Sequence, residues 1–333
     1  MRISFSNLFR RSALNILVGA GLVLASGARA QVTPEIGADM FRASDGTELP
    51  MRSWMPQGKP RALIVALHGF ADYSISYARP AAVWAKKGIA TFAYDQRGFG
   101  AAPHVLHWSG SERMVADATE AVSALRARYP GIPTFLIGES MGGAVAIAAT
   151  TGPHPAAVDG VTLVAPAVWE HDFLGSIERT ALWVTRATLP GLWLTPPSGL
   201  HIQPSDNIPM LREMSRDSLV QMGARADTTA GLMDLMDQAG GAVSQIHLPT
   251  LVLYGAHEEV LPHTAVTTFL ERVPPKNVRV AFYPKGYHML LRDLDGDIVA
   301  GDVAAWIADR TAPLPSGDEC GGDAAASPPC RRR

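Results

Sequence analysis

The sequence predicts an α/β protein: a mostly parallel central sheet covered by helices on both faces, with a helical lid inserted into it. Three observations predict it. Short runs that are apolar throughout alternate with helical stretches, as strands buried on both faces do. Gly138-Glu139-Ser140-Met141-Gly142 follows one such run and opens a helix. Between Trp169 and Ser244 the alternation stops, and the chain becomes rich in Trp, Met, Leu and Pro with no strand run.

The elements follow in order. Asp39 to Trp54 alternates and turns at Ser44-Asp45-Gly46, which fits an opening β-hairpin. Arg61–Leu67 is a buried-strand run; Tyr77–Lys87 reads as a helix stopped by Gly88; Ile89–Tyr94 is a strand. Glu112–Tyr129 is an amphipathic helix ended by Pro130-Gly131. Thr134–Ile137 is a strand, Met141–Thr151 a small-residue helix, and Val161–Ala165 a strand. After the interruption come strand Leu251–Tyr254, a helix near His263 to Arg272, strand Val278–Tyr283 and a last helix from Ile298 to Arg310. The expected organisation is a leader over 1–30, a first core part over 31–168, a lid over 169–244, a second core part over 245–311 and a disordered tail over 312–333. That tail is Pro, Gly, Ala and Ser with charges.

Residues 1–30 have the layout of a secretory signal. Arg2, Arg10 and Arg11 precede an apolar run from Ala13 to Ala25, and Ala28-Arg29-Ala30 makes an A-x-A site before Gln31. A spanning helix needs roughly 20 apolar residues, more than this run supplies. The expectation is a periplasmic or secreted protein, and Arg10-Arg11 also permits a twin-arginine signal. Removing the leader takes away four arginines and no acid, so the formal charge moves from −2 to −6. That balance, with no internal basic stripe, argues against a nucleic-acid partner. The two cysteines, Cys320 and Cys330, both lie in the tail, so the core does not depend on a disulfide. Export would permit them to pair. No Cys/His spacing suggests zinc.

G-x-S-x-G between a strand and a helix is a turn that lifts a serine hydroxyl above the sheet edge. The small residues at 138 and 142 avoid collision with the neighbouring strand and helix. The N–H of Met141, at the helix N-terminus, points at the oxyanion that develops when Ser140 attacks a carbonyl. A second donor is expected after an earlier strand, where His68-Gly69-Phe70 offers the N–H of Phe70. His68 itself reads as structural. Serine needs a base, and on this kind of elbow the chain order is serine, acid, histidine. His288, in the loop after the last strand, is the candidate base. Glu258, in the loop after strand Leu251–Tyr254, is the candidate acid, with Glu259 as its rival.

His68-Gly-Phe, Tyr94-Asp95-Gln-Arg97-Gly98, Gly138-Glu-Ser-Met-Gly-Gly143, the Gly255–Pro262 loop and Gly286-Tyr-His288 together resemble the monoacylglycerol lipase and lysophospholipase group of α/β-hydrolases, also described as serine aminopeptidase S33. The resemblance covers roughly residues 40 to 310. It implies the α/β-hydrolase fold, Ser140 as nucleophile, His288 as base, and Phe70 and Met141 as oxyanion donors. In one place the chain departs from the group: the acid loop there usually reads G-x-x-D, and position 258 is Glu. Asp95, Arg97 and Asp117 are read as structural.

The expected activity is hydrolysis of single-chain lipid esters, a monoacylglycerol or lysophospholipid, with no metal or organic cofactor and with transient contact to a membrane surface. A small-ester esterase, a proline-type peptidase or amidase on the same residues, and a non-catalytic binding protein are the alternatives. Loss of the serine or histidine would mark the last of these, and neither is lost. In the interruption, Trp169, Trp183, Trp193, Met210, Met214, Met222, Met233 and Met236 either line an adaptable acyl groove or pack the lid onto the core.

Overall fold

The computed structural model describes residues 31–169, 175–195 and 202–320. The leader reading for 1–30, and the end of the tail with Cys330, lie outside the described residues.

The first strands are β1 (Glu35–Ile36), β2 (Met40–Arg42) and β3 (Glu48–Trp54), paired antiparallel. β4 (Ala62–Leu67), α1 (Ala78–Lys86), β5 (Ile89–Tyr94), α2 (Ser111–Arg128), β6 (Thr134–Glu139), α3 (Met141–Thr151) and β7 (Gly160–Val164) follow in strict alternation after β4. The lid holds α4 (Ser176–Thr188), β8 (Trp193–Leu194), α5 (Ile208–Met214), β9 (Ala224–Arg225) and α6 (Ala226–Ala242). β10 (Thr250–Gly255), α7 (His263–Arg272), β11 (Val278–Tyr283) and α8 (Gly296–Ala308) complete the chain. The main sheet runs β1-β2-β3-β5-β4-β6-β7-β10-β11 and is parallel from β5 to β11.

The strands β4, β5, β6, β7 and β10 are buried along their whole length, and the two-residue period splits their side chains between two cores. Leu63, Val65, Leu67, Leu136, Leu163 and Val252 face a core shared with α2, α3 and α6. Ile64, Ala66, Phe135, Ile137 and Leu253 face the other core, with Trp84 of α1 and Trp306 of α8. Lid insertion after β7 therefore leaves the sheet continuous, because β10 pairs directly with β7.

Two expectations need correction. Residues 312–320 are not a disordered tail. Ala281 of β11 bridges Glu319, Phe282 N–H donates to Asp318 O at 3.0 Å, and Cys320 N–H donates to Val280 O at 2.8 Å. Arg279 holds Glu319 at 2.6 Å and Leu314 is buried. β11 is the last strand of the sheet, and its open edge supplies unpaired donors and acceptors that composition does not reveal. Cys320 is not a free thiol. The lid also contains strand: β8 and β9 pair antiparallel over two residues each, too short for a hydrophobic pattern.

The turn after β5 has the structural role expected of it. The Arg97 guanidinium, nearly buried, bonds both carboxylate oxygens of Asp117 on α2 at 2.6 and 3.0 Å, and reaches Asp45 and Thr47 in the hairpin turn. Asp95 accepts from Ser74 N–H and Ala101 N–H.

Candidate active site

Ser140 sits between β6 and α3 with φ +53° and ψ −116°, a backbone conformation that a side-chain-bearing residue seldom adopts. The turn is held by its neighbours: Ser140 N–H donates to Val164 O at 2.9 Å, and Ser140 O accepts from Gly143 N–H and Ala167 N–H. A Cβ at Gly142 would lie 2.1 Å from Leu67 O and 2.8 Å from His68 O. The absent side chain is what lets α3 start against the end of β4.

That close approach gives a test. Gly142→Ala should cost about 3 kcal/mol, the upper part of the usual overpacking range, because both atoms it meets are backbone. It should also lower kcat/KM about 100-fold by pushing the loop at residues 68–70 away from Ser140. Gly241→Ala, where nothing lies within 4 Å, is the control and should leave both unchanged or raise stability slightly. Thermal melts and ester hydrolysis read both variants. Equal behaviour of the two would remove the steric account of the turn.

His288 is buried in the loop after β11. Its Nδ1 lies 2.7 Å from Glu258 Oε2, and both side chains are less than a tenth exposed. Glu258 Oε1 accepts from Val260 N–H at 2.8 Å and Leu261 N–H at 3.0 Å, so the carboxylate is fully engaged and its direction is set. The acid loop and the histidine loop meet at Gly255, where a Cβ would lie 2.2 Å from Gly286 O. His257 N–H donates to Gly286 O across the same contact. Glu259 points elsewhere and accepts Gln203 N–H from the lid at 2.8 Å.

Ser140 and His288 line one cavity of about 530 Å³ together with Phe70. Among the described residues no hydrogen bond takes up the Phe70 N–H. Met141 is the first residue of α3, where N–H groups have no acceptor in their own helix. His68 is buried and fixed as a neutral ring: one nitrogen is 2.8 Å from Gly69 O and the other accepts Gln96 N–H at 2.9 Å. Burial holds its pKa below the ordinary value. It shapes the loop that carries Phe70.

The cavity wall is largely apolar and comes from the lid: Leu211, Met214, Val220, Met222, Leu232, Met233 and Met236, with Trp169 at its start. Met210, Trp183 and Trp193 do not line it, and the latter two are exposed. Exposed apolar residues on the lid also include Val184, Leu189, Leu192 and Met222.

Three residues that sequence reasoning passed over form the polar end of this cavity. Arg292 Nη1 lies 2.7 Å from Asp72 and its Nη2 lies 3.6 Å from Glu139, all three buried. Burial pushes the Glu139 carboxyl up, with Arg292 opposing. Glu139 is the second residue of the elbow motif, and Arg292 follows His288 by four. These offsets were the available signal, but Asp72 comes from a loop near residue 70 and gives none.

With this geometry in view, comparisons with known proteins are consistent. A model of the family described as serine aminopeptidase, S33, matches residues 58–295. The chain is 27% identical over 281 residues to the monoglyceride lipase of Homo sapiens, covering 81% of this chain and 89% of that protein. It is 25% identical over 273 residues to a monoacylglycerol lipase of Mycolicibacterium smegmatis, covering 80% and 95%. Among solved structures it is similar in fold to a monoacylglycerol lipase of Paleococcus ferrophilus, with a TM-score of 0.66, 22% identity, and 79% and 100% of the two chains covered. The fold is that of the α/β-hydrolases.

Proposed function

We propose, since this chain belongs to the serine aminopeptidase S33 family of α/β-hydrolases, that it hydrolyses single-chain lipid esters, a monoacylglycerol or lysophospholipid, with Ser140 as nucleophile. The observation that carries this reading is the shared cavity: Ser140 and His288 open into a space walled mainly by apolar lid side chains. Relatives named as monoglyceride lipases support the ester and the lipid.

Each group has a role in the proposed reaction. Ser140 Oγ attacks the ester carbonyl while His288 takes its proton. Glu258 accepts the Nδ1–H of His288, which keeps the ring's own proton on that side, leaves the far nitrogen free to take the serine proton, and stabilises the imidazolium. The N–H groups of Phe70 and Met141 receive the oxyanion. His288 then protonates the leaving alcohol, and a water molecule repeats the sequence to release the acid. The acyl chain lies along Leu211 and the methionines Met214, Met233 and Met236, whose flexible thioethers suit a variable chain. The polar head group is placed at the Asp72–Arg292–Glu139 end. The exposed apolar face of the lid is the surface by which the protein would meet lipid.

Initial rates on a monoacylglycerol and a lysophospholipid of the same acyl length, each below and above its aggregation concentration, test this reading. The expected result is turnover of one or both, rising above that concentration. No turnover of either by folded protein that a serine-directed phosphonate still labels would sink the lipid assignment and favour small esters or peptides.

A further inference from the structure

Both amides that flank His288 end on the same stretch of lid. Met289 N–H donates directly to Pro204 O at 2.9 Å. Tyr287 N–H donates to Asp293 Oδ2 at 2.7 Å, and the other oxygen of that carboxylate accepts the Ser205 hydroxyl at 2.6 Å. Ser205 is fully buried, and its oxygen also accepts Asn207 N–H at 3.1 Å. The same stretch is fastened at both ends: Gln203 N–H to Glu259 in the acid loop, and Asn207 Nδ2 to Arg292 O in the histidine loop. Leu294 N–H closes the set by donating to Asp206.

We propose that Asp293 is a positioning residue, which ties the backbone before His288 to the lid stretch Pro204–Ser205 so that seating of the lid sets where the His288 ring lies. This rests on His288 being the base of the proposed reaction. A carboxylate suits the post because it accepts two hydrogen bonds at once, one from each partner. A protonated carboxyl keeps only part of that capacity.

The surroundings make the clamp sensitive to pH. Burial pushes the Asp293 carboxyl up to about 6, against the hydrogen bonds from Ser205 and Tyr287, with Asp206 and Glu139 adding to the rise. Lys285, Asp295 and Asp318 line a hollow beside it. The Arg79 guanidinium binds its carbonyl from α1. Above about pH 6 the carboxylate holds both partners. Below it, protonation loosens the histidine loop. The acid limb of activity therefore includes the protonation of Asp293.

The test is kcat and KM against pH for wild type, Asp293→Ala, Asp293→Asn and Ser205→Ala, on a soluble p-nitrophenyl ester. At pH 8, Asp293→Ala should lower kcat roughly 10- to 100-fold with little change in KM, the range expected for a misplaced catalytic group. Ser205→Ala should move kcat in the same direction by less. Asp293→Asn, which keeps an acceptor for Tyr287 and a donor for Ser205, should recover most of kcat at pH 8. Its acid limb should be shallower than that of wild type, because residue 293 no longer titrates. Wild-type kcat in Asp293→Ala and Ser205→Ala, or superimposable acid limbs in wild type and Asp293→Asn, would overturn the proposal. If Asp293→Ala does not fold, Ser205→Ala and Asp293→Asn decide it alone. Ser140→Ala run in parallel separates the two levels of inference. Turnover by Ser140→Ala sinks the assignment of Ser140 and His288 as the reacting pair, whereas an inert Ser140→Ala beside an unaffected Asp293→Ala sinks only the clamp.

Discussion

Ser140→Ala is expected to lower kcat for ester hydrolysis by about 10⁶-fold, the cost typical of removing a serine nucleophile that works with a base. Labelling by a fluorophosphonate should disappear with it. The fold should survive. Ser140 makes no side-chain capping bond to α3, and its backbone bonds to Val164, Gly143 and Ala167 do not involve the hydroxyl. Alanine meets the same strained φ that serine does, so the substitution adds little strain. A melt superimposable on wild type, with activity gone, is the expected pair of results. Residual turnover within tenfold of wild type would mean that another group attacks the substrate.

The second large effect is expected at Glu258. Its carboxylate uses one oxygen for His288 Nδ1 and the other for two backbone N–H groups. Glu258→Gln keeps the size but leaves a single oxygen acceptor. If that oxygen stays with Val260 and Leu261, the amide nitrogen faces Nδ1 and favours the ring tautomer that carries its proton on the far side. That ring cannot take the serine proton. A fall of about 10⁴-fold in kcat, with KM close to wild type, is expected. Glu259→Gln is the comparison. Its carboxylate binds Gln203 N–H in the lid, so its replacement should leave kcat within a few-fold of wild type. Kinetics on a p-nitrophenyl ester separate the two. A collapse at 259 with near-normal activity at 258 would reverse the assignment of the acid.

The glutamate at 258 also shows how far the acid was legible beforehand. The loop after β10 was identifiable from the strand and the chain order. Which of two adjacent carboxylates turns inward was not. In the folded protein that choice follows from the close contact of Gly255 with Gly286, which sets the two loops side by side, and from the Val260 and Leu261 amides that orient the Glu258 carboxylate. The lid gives the same lesson. Its apolar content was visible, and Met214, Met222, Met233 and Met236 do line the cavity. Met210 has the same composition and does not, because a residue's facing depends on how a short helix lies against the core.

What the sequence determined by itself is what depends on local pattern. Fully apolar runs specify strands buried on both faces, helical periods specify their covers, and glycines around Ser140 specify a sharp turn, since each is dictated within a few residues. Only the tertiary structure decided what depends on distant partners. The buried set of Asp72, Glu139 and Arg292 joins two loops to the end of β6, and Asp293 binds a lid residue 88 positions away. Residues 312–320 are held because the edge of β11 offers backbone partners that the tail's own composition does not indicate. A charge or hydroxyl in a sequence carries no sign of its partner. Burial, and the need to satisfy each buried polar group, makes that choice.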